Sequence, residues 1–227
     1  MSSCSFYIAQ VALLVCCLQA SSLLAASLQA ELVDERGQAL ENAVISLRGP
    51  LDEAASAAPA VMDQLAQQFV PNVLAVRTGA AVSFPNSDNI RHHVYSFSPA
   101  KRFELRLYQG TPSEPVVFDK PGVVVLGCNI HDWMVGYVYI TDDPRFAVSD
   151  AQGVATLASL PAGRYAVTLW HPQTPQMLPQ EAAPLTVGTE PIQQRYSLAL
   201  QGTQAPAATP PASAFGDAFK KALRDAQ

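Results

Sequence analysis

The run Gly122-Val-Val-Val-Leu-Gly-Cys-Asn-Ile-His-Asp-Trp-Met-Val-Gly-Tyr-Val-Tyr-Ile140 decides how the rest of the chain is read. Two apolar pieces, GVVVLGC (122–128) and MVGYVYI (134–140), are rich in β-branched and aromatic residues, which predicts two strands. The segment joining them carries Cys128, His131 and Met134. A tight loop there turns a thiol, an imidazole and a thioether toward one point. A second source of imidazole, His92-His93, lies upstream, just after a strand-like piece that ends Phe84-Pro85-Asn86. One thiolate, two imidazoles and a weak axial thioether make the donor set of a trigonal blue-copper site. Soft sulfur suits Cu(I) and nitrogen suits Cu(II), so a fixed mixed set lets the ion change oxidation state with little ligand movement. Taken singly, a cysteine in an apolar strand is a small buried hydrophobe and a methionine is packing material. Their conjunction around His131 is what points to a metal.

Cysteine usage sharpens the point. The chain has four cysteines, and three of them, Cys4, Cys16 and Cys17, precede the first charged residue, Glu31. That region holds an apolar stretch from Val11 to Leu18 followed by small residues (Ala20, Ser21, Ser22, Ala25, Ala26, Ser27). It predicts a secretory signal over residues 1–26, with cleavage after Ala26 or Ala30 and a periplasmic or secreted mature protein. The leading MSSCSFYIAQ lacks the usual Lys or Arg, which leaves an uncleaved anchor as the alternative. The apolar run itself is short for a membrane span. Once cleaved, the chain keeps a single thiol, Cys128. An exported protein with one cysteine forms no internal disulfide, so that thiol is expected to be buried, reactive or metal-bound.

Composition bounds the remainder. Apolar residues make up 49% of the 227 residues against 15% charged, enough to build a sizeable core. The net charge of −5 comes without any basic stripe, which argues against nucleic acid and anionic membrane surfaces as partners. No long stretch holds a helical period, and an all-β fold is expected. Residues 31–49 read as two short strands around a turn, and 51–60 as an Ala-rich linker. Strand pieces then run from Met62 to Thr141, including FELRL (103–107) with its strict alternation. Residues 146–171 repeat strand and turn three times, and a further strand pair is expected near 185–187 and 195–200. Residues 202–213 are Ala- and Pro-rich, which predicts disorder. Phe215, Phe219, Ala222 and Leu223 then fall at helical spacing, which predicts a short C-terminal helix.

The segment from Met62 to about Thr141 resembles the cupredoxin family of plastocyanin- and amicyanin-like copper proteins. The matching pieces are FVPNVLAVRTGAAVSFPNSD, then His92-His93-Val94, then the strand entering Cys128, then Cys-x2-His-x2-Met leading into GYVYI. The short spacing from His131 to Met134 is amicyanin-like. This resemblance implies a Greek-key β-sandwich over 61–142 that holds one type 1 copper through His92, Cys128, His131 and Met134. It also implies a one-electron carrier that meets redox protein partners. The family's pattern of ligand His, one residue, then Val favours His92. The opposite strand parity would group His93 with Tyr95 and Phe97, and hydrophobicity alone does not exclude it. His93 stands where the family usually has Asn, whose side chain helps tie this strand to the cysteine loop. Asp132 stands where it often has Pro, beside the exposed edge of the downstream histidine.

With four histidines in all, the chain cannot supply the extra copper clusters of a multicopper oxidase, and His171 reads as a structural histidine. A filled four-donor site leaves no position for a substrate, so neither enzyme activity nor a small-molecule substrate is expected. The same ligands would also serve a copper delivery or storage module. A structural protein whose loop binds zinc or nothing is the third reading.

The flanks carry a second resemblance. ELVDERGQALENAVISLRG and FAVSDAQGVATLASLPAGRYAVTLWH resemble the opening and later strands of the carboxypeptidase regulatory-like, transthyretin-type β-sandwich. That implies a discontinuous structural module, 31–50 plus 145–200, into which the copper unit is inserted.

Overall fold

The computed structural model describes residues 26–49, 56–112 and 114–201. The body of the expected signal, part of the Ala-rich linker and the expected C-terminal linker and helix lie outside the described residues.

The chain is all-β, with one 3-10 turn (Pro175–Met177) among the described residues. In chain order the strands of the first part are β1 (Ala26–Asp34) and β2 (Val44–Arg48). The middle part contains β3 (Ala60–Val61), β4 (Asp63–Leu65), β5 (Gln68–Val70), β6 (Val73–Arg77), β7 (Ala80–Ser83), β8 (His92–Ser96), β9 (Phe103–Tyr108), β10 (Val116–Phe118), β11 (Gly122–Cys128) and β12 (His131–Thr141). The last part contains β13 (Arg145–Val148), β14 (Val154–Leu160), β15 (Gly163–Trp170), β16 (Gln180–Val187) and β17 (Ile192–Leu198).

Alternation explains how the outer strands pack. Ala26, Leu28, Ala30 and Leu32 are buried on one side of β1 while Gln29 is exposed, the period of a half-buried strand. β1 pairs antiparallel with β14 and parallel with β17, while β2 pairs with β13 and β15, and β15 with β16. Leu28 and Leu32 thus meet Ile45, Leu47, Tyr165 and Leu169 in one apolar core. The named strands between residues 60 and 141 pair only with one another. They form the sheet β6-β12-β11-β8-β9, the sheet β10-β7-β3 and the hairpin β4-β5. Their core contains Met62, Phe69, Phe84, Phe118, Leu126, Cys128 and Met134. A third cluster, Val44, Val73, Tyr139 and Trp170, joins the outer strands to the outward side of β6 and β12.

Two expectations change. β1 begins at Ala26 rather than Glu31, and Leu28 and Ala30 are fully buried, so a cut after Ala30 would remove part of this core. The strands expected to pair with each other near 185–187 and 195–200 sit in different sheets, β16 beside β15 and β17 beside β1. Periodicity reports which side of a strand meets the core but not which of two facing sheets the strand joins. The two short strands expected around a turn, β1 and β2, lie in facing sheets.

Close approach fixes one glycine. A Cβ on Gly136 of β12 would stand 2.7 Å from the Cβ of Phe69, which is buried in the β4–β5 hairpin. Because the clashing atom is next to the Phe69 backbone, the hairpin itself must move. Gly136→Ala is expected to destabilise the fold by about 1–3 kcal/mol. Urea unfolding measures this, and an unchanged midpoint would show that the hairpin yields freely.

Candidate metal centre

Three strands deliver the donor residues to one end of the five-stranded sheet. His92 opens β8, Cys128 closes β11 and His131 opens β12. Cys128 and His131 are directly paired, so only Asn129 and Ile130 turn the chain between them. A register shift between Gly127 and Cys128 breaks the ladder there. β8 reaches β11 through the pair Tyr95 and Gly127, and a Cβ on Gly127 would lie 2.8 Å from the Tyr95 ring.

The donor atoms converge. Cys128 Sγ lies 3.8 Å from His92 Nδ1 and 3.7 Å from His131 Nδ1. All three donor atoms fall within 4.8 Å of one another. A metal about 2.3 Å from a thiolate and about 2.0 Å from an imidazole, the lengths usual for zinc, sets sulfur and nitrogen about 3.7 Å apart at trigonal angles. The residues therefore fit one ion of the soft-to-borderline class, with sulfur and imidazole donors of the kind copper takes. His92 and Cys128 are buried and His131 is half-buried. Met134, three residues along β12 from His131, is buried in the same apolar cluster as Cys128.

The parity of β8 puts His92 inside. His93 turns to the other face, its ring 5.7 Å from that of Tyr95. Its Nε2 lies 3.0 Å from Glu104 Oε1 without the alignment of a hydrogen bond.

A polar scaffold that the sequence reading missed holds the approach to His92. Asn86 is buried, and its amide donates to the carbonyls of Ile90 and Tyr108, both at 2.9 Å. Its Oδ1 accepts the Asp88 N–H. The Tyr108 hydroxyl donates to Phe84 O at 2.6 Å, and burial pushes its phenol up to about 12. Asp88 Oδ2 lies 2.7 Å from His92 Nε2. Asp88 also accepts the N–H groups of Ala66 and Gln67. Burial alone would push the Asp88 carboxyl up, but hydrogen bonds from Gln67, His92 and Ala66 outweigh it and hold it below the ordinary value. The available signal was Asn86-Ser87-Asp88, whose side chains favour turns that bond back to the backbone.

On the outside, Trp133 is 68% exposed and its ring stands 5.4 Å from that of His131. Their chain neighbours Ile130 and Asp132 are exposed as well. An open groove of about 450 Å³ runs next to the site, lined by Tyr95, Phe97, Val125, Cys128, Asp132 and Val135 among others.

No family model matches this chain, and none of the curated proteins matches it in sequence. Among solved structures it is similar to the Cu-containing nitrite reductase (NirK) from Thermus scotoductus SA-01, with 24% identity and a TM-score of 0.35. That match covers 37% of this chain and 22% of the reductase. It is similar to the purple cupredoxin from Nitrosopumilus maritimus at 23% identity and a TM-score of 0.33, covering 36% of this chain and 99% of that one. A third likeness is to a mutant of amicyanin in its reduced Cu(I) form, at 18% identity and a TM-score of 0.33, covering 42% of this chain and 99% of that one. The chain thus spans about a fifth of the reductase and nearly the whole of the two small proteins. The fold is all-β, with His92, Cys128 and His131 gathered at one end of its five-stranded sheet.

Proposed function

We propose that this chain is an exported, single-copper electron carrier in which His92, Cys128, His131 and Met134 hold one type 1 copper. The observation that carries the reading is the approach of one buried sulfur to two imidazole Nδ1 atoms at 3.8 and 3.7 Å. When bound, copper would supply one-electron exchange between Cu(I) and Cu(II). Cys128 offers the soft donor from a buried position. His92 approaches from a separate strand, so the two imidazoles do not depend on one flexible loop. Met134, buried in the same apolar cluster as Cys128, would supply the weak axial donor.

His131 is the half-buried member of the set, and the apolar surface of Ile130 and Trp133 around it suits a transient redox protein partner. In this reading four protein donors fill the site and no position remains for a substrate, so the protein is not an enzyme. The outer strands, whose resemblance is to transthyretin-type modules, serve as a structural mount. Export rests on the signal-like first residues. No helix among the described residues is long and apolar enough to cross a membrane.

Visible and electron paramagnetic resonance spectra of the purified protein with one equivalent of Cu(II) test the proposal. The expected result is an intense blue or green colour with a narrow copper hyperfine splitting. A pale protein with the spectrum of nitrogen- and oxygen-bound Cu(II) would favour delivery or storage instead. Failure to bind copper would leave the structural reading.

A further inference from the structure

We propose that Asp88 is a positioning residue that locks His92 as its Nε2–H tautomer and aims its Nδ1 at Cys128, as part of the copper reading above. The assignment follows from counting donors and acceptors. Asp88 Oδ1 accepts the Ala66 N–H at 2.7 Å, and Oδ2 accepts the Gln67 N–H at 2.9 Å. Two amide N–H bonds favour the ionised carboxylate, which is acceptor-only, so the short 2.7 Å contact to His92 then requires the proton on Nε2. A neutral imidazole carries one N–H and one lone pair, so Nδ1 presents its lone pair, and that atom faces Cys128 Sγ. The His92 side chain is fully buried and that of Asp88 is 12% exposed, so little water competes for the bond.

The turn that grips Asp88 is itself unusual. Ala66 and Gln67 both sit in the left-handed region, with φ of 52° and 58°, although neither is glycine. This conformation joins Leu65 to Gln68 in the β4–β5 hairpin and presents two amides to one carboxylate. Charge-assisted bonds to Asp88 offset the conformational cost. Asp88 therefore connects two things distant in sequence, a strained hairpin turn and a metal-facing ring. Its negative charge also makes the imidazole a stronger donor, which favours the more highly charged state of a bound ion and so lowers the reduction potential.

Glu104 supplies an internal control. It is the carboxylate beside the other histidine, His93, which faces away from Cys128. A purely scaffolding role for Asp88 would change stability alone, whereas positioning changes the ring.

The first measurement uses metal-free protein with ¹⁵N-labelled histidine. The wild type should show His92 as the Nε2–H form with a slowly exchanging ring proton. Asp88→Ala should lose that proton signal, Asp88→Asn should weaken it, and Glu104→Gln should leave it unchanged. A wild-type His92 protonated at Nδ1, or a ring unaffected in folded Asp88→Ala, would overturn the proposal.

The second measurement uses metal. Asp88→Asn should bind Co(II) about ten- to a hundredfold more weakly and raise the Cu(II)/Cu(I) potential, while Glu104→Gln should alter neither. An unchanged affinity and potential in Asp88→Asn would overturn the tuning role. Wild-type protein that binds neither ion would instead overturn the copper reading, with the ring-nitrogen spectrum still deciding Asp88. Should Asp88→Ala fail to fold, Asp88→Asn, similar in shape, carries both measurements.

Discussion

Cys128→Ser is expected to abolish the charge-transfer colour of the Cu(II)-loaded protein while leaving the fold intact. Cys128 is buried at the end of β11, with both imidazole Nδ1 atoms within 3.8 Å of its sulfur. Serine nearly preserves the volume, but its hydroxyl stays protonated at neutral pH and offers no soft, polarizable donor. The intense visible transition of a copper–thiolate bond then has no origin. The two imidazoles remain, so weak and pale Cu(II) binding should persist, with the hyperfine pattern of ordinary nitrogen- and oxygen-bound copper. The fold should lose about 1–3 kcal/mol from burying a hydroxyl in place of a thiol. That loss is reduced to the extent that an imidazole nitrogen accepts its proton. Visible absorption and paramagnetic resonance check the outcome. An unchanged spectrum would show that the sulfur is not a ligand, and the type 1 assignment would fall with it.

Trp170→Ala is expected to produce the largest loss of stability, about 3–5 kcal/mol, and to uncouple the two groups of strands. Trp170 closes β15 and is fully buried against Val44, Val73 and Tyr139. Its ring stands 6.0 Å from that of Tyr137 and 5.3 Å from that of Tyr139. Its Nε1–H donates to Met177 O at 2.9 Å, so truncation also orphans a partly buried carbonyl. One polar junction would survive nearby. Asp143, buried just after β12, accepts the Ser46 hydroxyl at 2.6 Å and the Arg48 Nε–H at 2.8 Å. Burial there pushes the Tyr139 phenol up to about 12. With the aromatic contact gone, denaturation followed by tryptophan-independent probes should split into two transitions. The donor end of the five-stranded sheet is remote from this cluster in the register, so copper colour, where present, should outlast the first transition. A single transition shifted by less than about 1 kcal/mol would show that Trp170 is packing within one group rather than a joint between two.

How far the sequence discloses these features depends on the range of the contacts involved. Cys128 and His131 are legible together because a two-residue turn between paired strands leaves them no room to separate. The choice between His92 and His93 is not local. Alternation allows either parity, and the side that becomes the interior is set by the core packed on the sheet, which Val94 joins with Phe84, Phe118 and Leu126. Asp88 is harder still. Its partners Ala66 and Gln67 are non-glycine residues held in a glycine-like conformation, which no propensity anticipates. The true start of β1 was hidden for a different reason. Ala-Ser-Leu-Gln-Ala alternates as a strand does, yet its small residues also resemble a cleavage region, and only pairing with β14 and β17 separates the two.

The pairing of the first described strand with the last has a consequence for the order in which the molecule can be made. Glu31 on β1 and Arg195 on β17 form a two-pronged ion pair although 164 residues separate them along the chain. Synthesis runs from the amino end, so β1 emerges early while its parallel neighbour emerges near the finish. Until then Leu28, Ala30 and Leu32 have no second sheet edge to rest on, and loop closure over that span is slow. The strands from 60 to 141 need none of these contacts and can close first. The region that holds the donor residues can therefore assemble inside an unfinished frame, whose own edge would stay open to other chains until β17 arrives.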